Sequence, residues 1–154
     1  APFLSEWAME TPYRLEDLDL AMESGDQNEV RTFLNDASRY MEPQDQAEIR
    51  KLLDQGDLAL ASDYALNKCV KQIRDNLSIM ASRRVSHNNL HMQNVSLQGE
   101  LCDNSTIDAS PFVSQEKIIN DTKNFERDLT QVHGHYTAMF GDSRQPTFYT
   151  PRAT

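Results

Sequence analysis

Apolar residues recur every three or four positions through the first 82 residues, a period typical of amphipathic helices. Glycines, prolines and capping aspartates divide this region into four stretches. The pattern therefore predicts two short helical hairpins over residues 12–56, followed by a fourth helix. The predicted boundaries are Thr11-Pro12, Gly25, Asp26, Pro43, Gly56 and Asp57.

These boundary signals repeat at a fixed distance. The glycines at positions 25 and 56, and the aspartates that follow them, are each separated by 31 residues. Repeats of this size are typical of stacked helix pairs, although such arrays normally need three or more units. Coincidental spacing of ordinary helix boundaries is the alternative explanation.

The fourth helix is predicted to extend from Asp57 to about residue 97. A series of residues with heptad-like spacing supports this length. It would place Asn88, a polar residue, in the core. The alternative is extended chain after Arg84, because Leu90/Met92 and Val95/Leu97 alternate with polar residues. Residues 99–110 are predicted to be a loop under either interpretation. The series consists of Leu77, Ala81, Val85, Asn88, Met92 and Val95.

The last helix is predicted to begin at Ser110-Pro111 and to end at Gly141. Its apolar positions alternate in steps of four and three, which is the seam of a coiled coil. We expect this seam to pack antiparallel against the 57–97 helix; a coiled coil between chains is the alternative. The seam consists of Ile118, Thr122, Phe125, Leu129, Val132, Tyr136 and Met139.

Residues 142–154 form an extended tail, since its two prolines exclude a helix. Its aromatic residues, Phe148 and Tyr149, are candidate anchors for a pocket on a partner protein. The alternative is that the tail folds back on its own helices. The whole pattern predicts an all-α fold, with a single elongated helical domain over residues 1–141 and the extended tail.

Composition supports dependence on partners. Apolar residues make up 38% of the 154 positions, below the roughly 45–50% of typical soluble chains. The net charge of −9 is uneven: residues 1–67 hold 15 acidic and 5 basic side chains, whereas residues 68–98 hold 5 basic and one acidic. This separation favours head-to-tail packing of copies or a charged partner, although ordinary solvated helix faces also explain it. Basic partner contacts are predicted at Arg83, Arg84, Arg144 and Arg152.

The sequence contains no catalytic signature. Cys69 and Cys102 match no metal or redox spacing, and Cys69 lies on an apolar helical stripe, which indicates a buried free thiol. His87 and His91 would share one helical face, but that is only half of a metal site. His133 and His135 would point apart. We therefore predict no catalytic, cofactor-binding or metal-binding residues.

Two further features bear on location. No run of 18 apolar residues exists, so no membrane span is predicted, and no signal-peptide pattern is visible.

Two other features concern binding and modification. The five basic side chains of residues 68–98 lack interleaved aromatic residues, which argues against nucleic-acid binding. Asparagine glycosylation sequons occur at positions 76, 94, 104 and 120.

The predicted function is that of a non-catalytic structural or adaptor subunit. It would act by docking in a multi-protein assembly of several copies, such as a virion head–tail or internal component. One alternative is a helical component of a secretion apparatus. Another is a secreted ligand or surface glycoprotein with a Cys69–Cys102 disulfide. We expect a soluble chain within a particle or cytoplasmic complex.

The substitution Leu129→Asp tests the predicted seam. An aspartate there would place an unpaired charge among apolar side chains, so we expect the long helix pair to unfold or separate. Circular dichroism and thermal melting measure this change. Unaltered spectra and melting would contradict the seam register.

Overall fold

The computed structural model describes residues 13–88, 90–101, 113–141 and 146–149. Within these ranges the chain forms five α-helices, which confirms the all-α fold. None of the helices in this part of the chain has the length and hydropathy needed to cross a bilayer. The helices are α1 (Leu15–Glu23), α2 (Gln27–Ser38), α3 (Pro43–Asp54), α4 (Leu58–Ser82) and α5 (Gln115–Phe140).

The α1–α2 and α3–α4 boundaries share one local geometry. Gly25 and Gly56 each have φ of +75°, a left-handed conformation that glycine adopts without strain at a helix end. Asp26 and Asp57 then accept backbone N–H groups of the following helix at 2.9 and 3.1 Å. Pro43 is the first residue of α3, as predicted. The 31-residue spacing therefore corresponds to a repeated turn.

The first helix begins later than predicted. Residues 11–12 lie outside the described ranges, but Arg14 has extended backbone angles and Leu15 is the first helical residue. The N–H of Leu15 donates to the carbonyl of Val95 at 3.0 Å. The backbone before α1 is thus paired with a distant segment, and this pairing is incompatible with an earlier helix start.

The fourth helix ends at Ser82, so its predicted continuation to about residue 97 is wrong. Arg84 and Asn88 have φ of +55° and +68°, which no right-handed helix contains. Asn88 is therefore not a polar position in a helical seam. The chain beyond α4 is irregular instead: it contains a short 3₁₀ helix at Met92–Asn94, turns at residues 97–98, and isolated bridges at Val95 and Ser96, so the extended alternative holds only in part.

We call residues 85–101, of which residue 89 lies outside the described ranges, the crossing segment. It runs along α4, α5 and the start of α1. Cys69 of α4 donates its thiol to the carbonyl of Ser96 at 3.5 Å, and the Asn76 amide donates to the carbonyl of Gly99 at 2.9 Å. Its buried apolar side chains are Leu90, Met92, Val95, Leu97 and Leu101.

A carboxylate on α5 explains why the chain leaves the helix here. Asp121 accepts the backbone N–H groups of His87 and Asn88 at 2.7 and 3.2 Å and the Ser86 hydroxyl at 3.1 Å. The N–H of His87 belongs to a fully buried residue, and a buried N–H needs an acceptor. Asp121 therefore replaces the carbonyl acceptors of a continued helix.

The long helices α4 and α5 run antiparallel, as predicted. The Tyr136 hydroxyl donates to the carbonyl of Ala59 near the start of α4, whereas Glu126 pairs with Arg74 further along it, at 2.8 Å. The helix α5 also packs against α1, where His135 pairs with Asp19. Its buried apolar residues are Ile118, Phe125, Leu129, Val132 and Tyr136.

The described part of the tail lies on the chain's own helices. Phe148 is 1% exposed and packs edge-on against Tyr136, with ring centroids 5.5 Å apart. Asp63 of α4 accepts the backbone N–H groups of Thr147 and Phe148 at 2.9 and 3.0 Å. The fold-back alternative therefore holds for residues 146–149.

The substitution Phe148→Ala tests whether the tail belongs to the core. Removing a buried phenylalanine ring typically costs about 3–5 kcal/mol, so we expect that loss in the free energy of unfolding, measured by denaturant titration. Ile119→Ala is the control, since Ile119 is 43% exposed and should change stability by about 0.5 kcal/mol or less. An equal change in the free energy of unfolding for the two variants would show that the tail does not pack in the core.

Candidate functional site

Of the basic residues predicted as partner contacts, two lie within the described ranges. Arg144 and Arg152 lie outside those ranges. Arg83 and Arg84 are exposed at the end of α4, where the Arg84 guanidinium donates to the carbonyl of Val113 at 2.9 Å. Arg84 therefore also holds the chain that leads into α5.

The two aromatic candidates lie near the opposite end of α4. Phe148 fills the chain's own core and has no surface left for the partner pocket predicted for it. Tyr149 is partly buried and stacks on His133, with ring centroids 4.2 Å apart. Twenty residues of helix separate Asp63, which holds this part of the tail, from Arg83, a distance of roughly 30 Å.

A cavity of about 420 Å³ opens between α3, α4 and the end of the crossing segment. We call it the Tyr64 cleft. It combines aromatic and apolar side chains with amides and charged groups. Its lining residues are Tyr40, Met41, Glu42, Asp45, Tyr64, Ala65, Lys68, Gln72, Asn76, Leu97, Gln98 and Glu100.

Asp45 connects the two helices that form one wall of the cleft. Its carboxylate accepts the Tyr64 hydroxyl at 2.7 Å and lies 3.6 Å from the Lys68 ammonium. Burial, together with the hydrogen bond to Asp45, raises the pKa of Tyr64 to about 12. Tyr64 therefore stays protonated at neutral pH and keeps this hydrogen bond.

The opposite wall is a glycine turn of the crossing segment against α4. Asn76 accepts from the Gln72 amide at 3.1 Å while donating to the carbonyl of Gly99. Gly99 has φ of +88°, and a Cβ there would lie 2.4 Å from the Gln72 Cβ. Only glycine allows so close an approach. The Gln98 amide donates to the carbonyl of Tyr40 and joins the turn to the end of α2.

The cleft carries an excess of negative charge. Glu42, Asp45 and Glu100 contribute three carboxylates, whereas Lys68 is the one basic side chain among the described lining residues. Charged groups around a concave surface attract ligands of opposite sign. The cleft is therefore equipped to recognise a basic ligand through hydrogen bonds and charge.

The histidines predicted as half of a metal site do not share a helical face, because the segment that carries them is not helical. His87 is fully buried. The Nε2 atom of His91 lies within 3.2 Å of the side chains of Gln93 and Asn94. His133 and His135 have separate partners, as predicted, since His133 stacks on Tyr149.

The sequence pattern did not indicate the cleft, which depends on the contact between Tyr64 and Asp45. Their hydrogen bond spans 19 residues, and no local pattern signals such a pair.

No family model, curated protein or solved structure matches the chain. The functional argument therefore rests on the chain's own residues.

Cys69 is a free and fully buried thiol, as predicted, whereas Cys102 lies outside the described residues. Burial raises the pKa of Cys69 to about 12, above the usual 8.5 or so of a free cysteine. Because the pKa of Cys69 is higher in the folded than in the unfolded state, the buried thiol makes its full contribution to stability at a pH below the unfolded-state pKa. That contribution is lost as the pH rises from there towards 12.

The reactivity of Cys69 towards a thiol reagent follows from this burial. In a Cys102→Ser variant, where Cys69 is the remaining cysteine, we expect reaction with a disulfide reagent at pH 8 to be roughly 100-fold or more slower in the folded state than in guanidinium. Absorbance of the released thiolate measures the rate. Rapid stoichiometric reaction of the folded protein would contradict the buried position.

Proposed function

We propose that this protein is a non-catalytic docking subunit of a multi-protein assembly. In this proposal the Tyr64 cleft receives an extended, basic segment of a partner protein. The single observation that carries it is the excess of carboxylates around a cleft, one wall of which is a backbone turn held by a side chain of α4.

The crossing segment illustrates how α4 can hold such a ligand. Side chains of α4 bind backbone carbonyls of this segment: the Cys69 thiol at Ser96 and the Asn76 amide at Gly99. The same helix continues past the turn with Gln72, Lys68 and Tyr64 facing the open cleft. A second extended chain beside the first would meet further amide, ammonium and aromatic groups.

The lining chemistry suits a peptide. Amide side chains such as Gln72 and Gln98 both donate and accept hydrogen bonds, which matches the alternating groups of an extended backbone. Met41, Leu97 and the ring of Tyr40 provide apolar contacts. The cavity volume lies at the lower end of the roughly 300–1,000 Å³ of ligand pockets, so the cleft suits a few side chains.

Charge selects a basic ligand. Glu42 is exposed at the cleft, and Asp45 and Glu100 add to its negative potential. The N-terminal region of the chain is also strongly acidic, since residues 1–67 hold 15 acidic and 5 basic side chains. Complementary charge speeds association and fixes the orientation of a partner.

The assembly itself is proposed on architecture alone. A virion component, held in several copies within a particle, is our first candidate, and a cytoplasmic complex or a secretion apparatus is the second. The secreted-glycoprotein alternative is less favoured, because the sequon residues Asn76 and Asn94 are 4% and 6% exposed and glycans need accessible sites. Cys69 is also a free thiol, which donates a hydrogen bond to the carbonyl of Ser96.

Selection from a random peptide display library tests the cleft. We expect the immobilised protein to enrich peptides that contain lysine or arginine. We also expect fluorescence anisotropy of the selected peptides to give dissociation constants of about 1–100 μM, weakening as salt rises. Glu42→Gln and Gln72→Ala should each weaken binding, by about 3- to 10-fold.

Glu29→Gln is the matched control, because Glu29 is an exposed carboxylate on α2 outside the cleft. It should bind the selected peptides as tightly as the unaltered protein. Failure to enrich basic peptides, or equal binding by all three variants, would rule out the cleft as the docking site.

A further inference from the structure

A second polar cluster lies between α1 and α5. Asp19 and Glu23 are on α1, and His135 is on α5. The His135 Nδ1 atom lies 2.7 Å from Asp19 Oδ1, and its Nε2 atom lies 3.2 Å from Glu23 Oε2. The imidazole is therefore placed between two carboxylates of a neighbouring helix.

Helical geometry accounts for this convergence. Asp19 and Glu23 are four residues apart and so share one face of α1. On α5, Gln131 precedes His135 by four residues and donates its amide to Asp19 Oδ2 at 3.1 Å. One oxygen of Asp19 is thus held by Gln131, and the other faces His135.

The cluster has more negative than positive charge. The Asp19 side chain is 1% exposed, and within the described residues Asp19 and Glu23 both form a salt bridge with the same histidine. These two carboxylates carry two negative charges against at most one positive charge on the imidazole, and a divalent cation would balance them.

We propose that Asp19, Glu23 and His135 bind a divalent transition-metal ion, for which zinc is the reference. One potential ligand atom from each residue lies within 4.8 Å of the others. Zinc is bound by nitrogen and carboxylate oxygen at about 2.0–2.2 Å, so small side-chain movements bring all three atoms to one ion. No metal site was predicted from the sequence, because His135 lies more than 110 positions away from both acidic residues along the chain.

The ligand set defines the class of metal. Imidazole suits zinc, copper, nickel and iron, whereas calcium and magnesium prefer oxygen ligands alone. Three protein ligands leave a fourth position of a tetrahedral ion for water. Gln131 would orient Asp19 without touching the ion, a supporting role that metal sites commonly contain. The bound ion would join the first helix of the chain to the last.

Isothermal titration calorimetry of the chelator-treated Cys102→Ser protein with zinc chloride tests the site. This variant leaves the buried Cys69 as the only thiol. We expect one zinc ion per chain with a dissociation constant of about 10 μM or tighter, a higher melting temperature with zinc, and no comparable effect of magnesium. Glu23→Gln, whose parent side chain is 55% exposed, should weaken binding about 10-fold or more without unfolding the protein.

Two matched variants separate this site from incidental binding. His135→Asn should abolish stoichiometric binding, whereas His133→Asn, on the same helix but stacked on Tyr149, should leave it unchanged. Cobalt in place of zinc should give an absorption spectrum without a thiolate charge-transfer band. Absence of stoichiometric binding, or unchanged binding in both Glu23→Gln and His135→Asn, would overturn the proposal and leave the cluster as an ion pair only.

Discussion

Buried and partly buried carboxylates on the long helices bind the irregular segments of the chain. Asp121 accepts backbone N–H groups of the crossing segment, Asp63 accepts those of the tail, and Asp128 accepts that of Met92 at 3.2 Å. A buried N–H without an acceptor is costly, and a charged acceptor makes a stronger hydrogen bond than a neutral one. These aspartates accept the N–H groups that non-helical backbone cannot pair within itself, so irregular segments can pack against the helices.

The irregular segments in turn complete a core that the helices alone would leave open. The chain is only 38% apolar, yet most of the buried apolar side chains of the described residues form one cluster, to which the crossing segment contributes five residues and the tail contributes Phe148. Close packing requires that such gaps be filled. The polar groups between these residues form hydrogen bonds. A chain with few apolar residues therefore still forms a filled core.

Both proposed sites depend on this arrangement. Residues 97–100 of the crossing segment form one wall of the Tyr64 cleft, and Gly99 allows that wall to approach α4. The same segment pairs with the start of α1 at Val95 and with α5 at Asp121, the two helices that carry Asp19 and His135. Both proposed sites therefore involve elements that the crossing segment contacts.

The sequence by itself determined the helical character of the chain, the glycine and aspartate helix boundaries, the seam of α5 and the buried position of Cys69, because each follows from a period or a cap within a few residues. Only the tertiary structure decided that α4 stops at Ser82, that Phe148 is internal, and that Tyr64 meets Asp45. Those outcomes depend on hydrogen bonds and packing between residues 19 to 85 positions apart. Helical periodicity does not indicate such distant partners. Neither the cleft nor the Asp19–Glu23–His135 cluster could therefore be predicted from the sequence pattern.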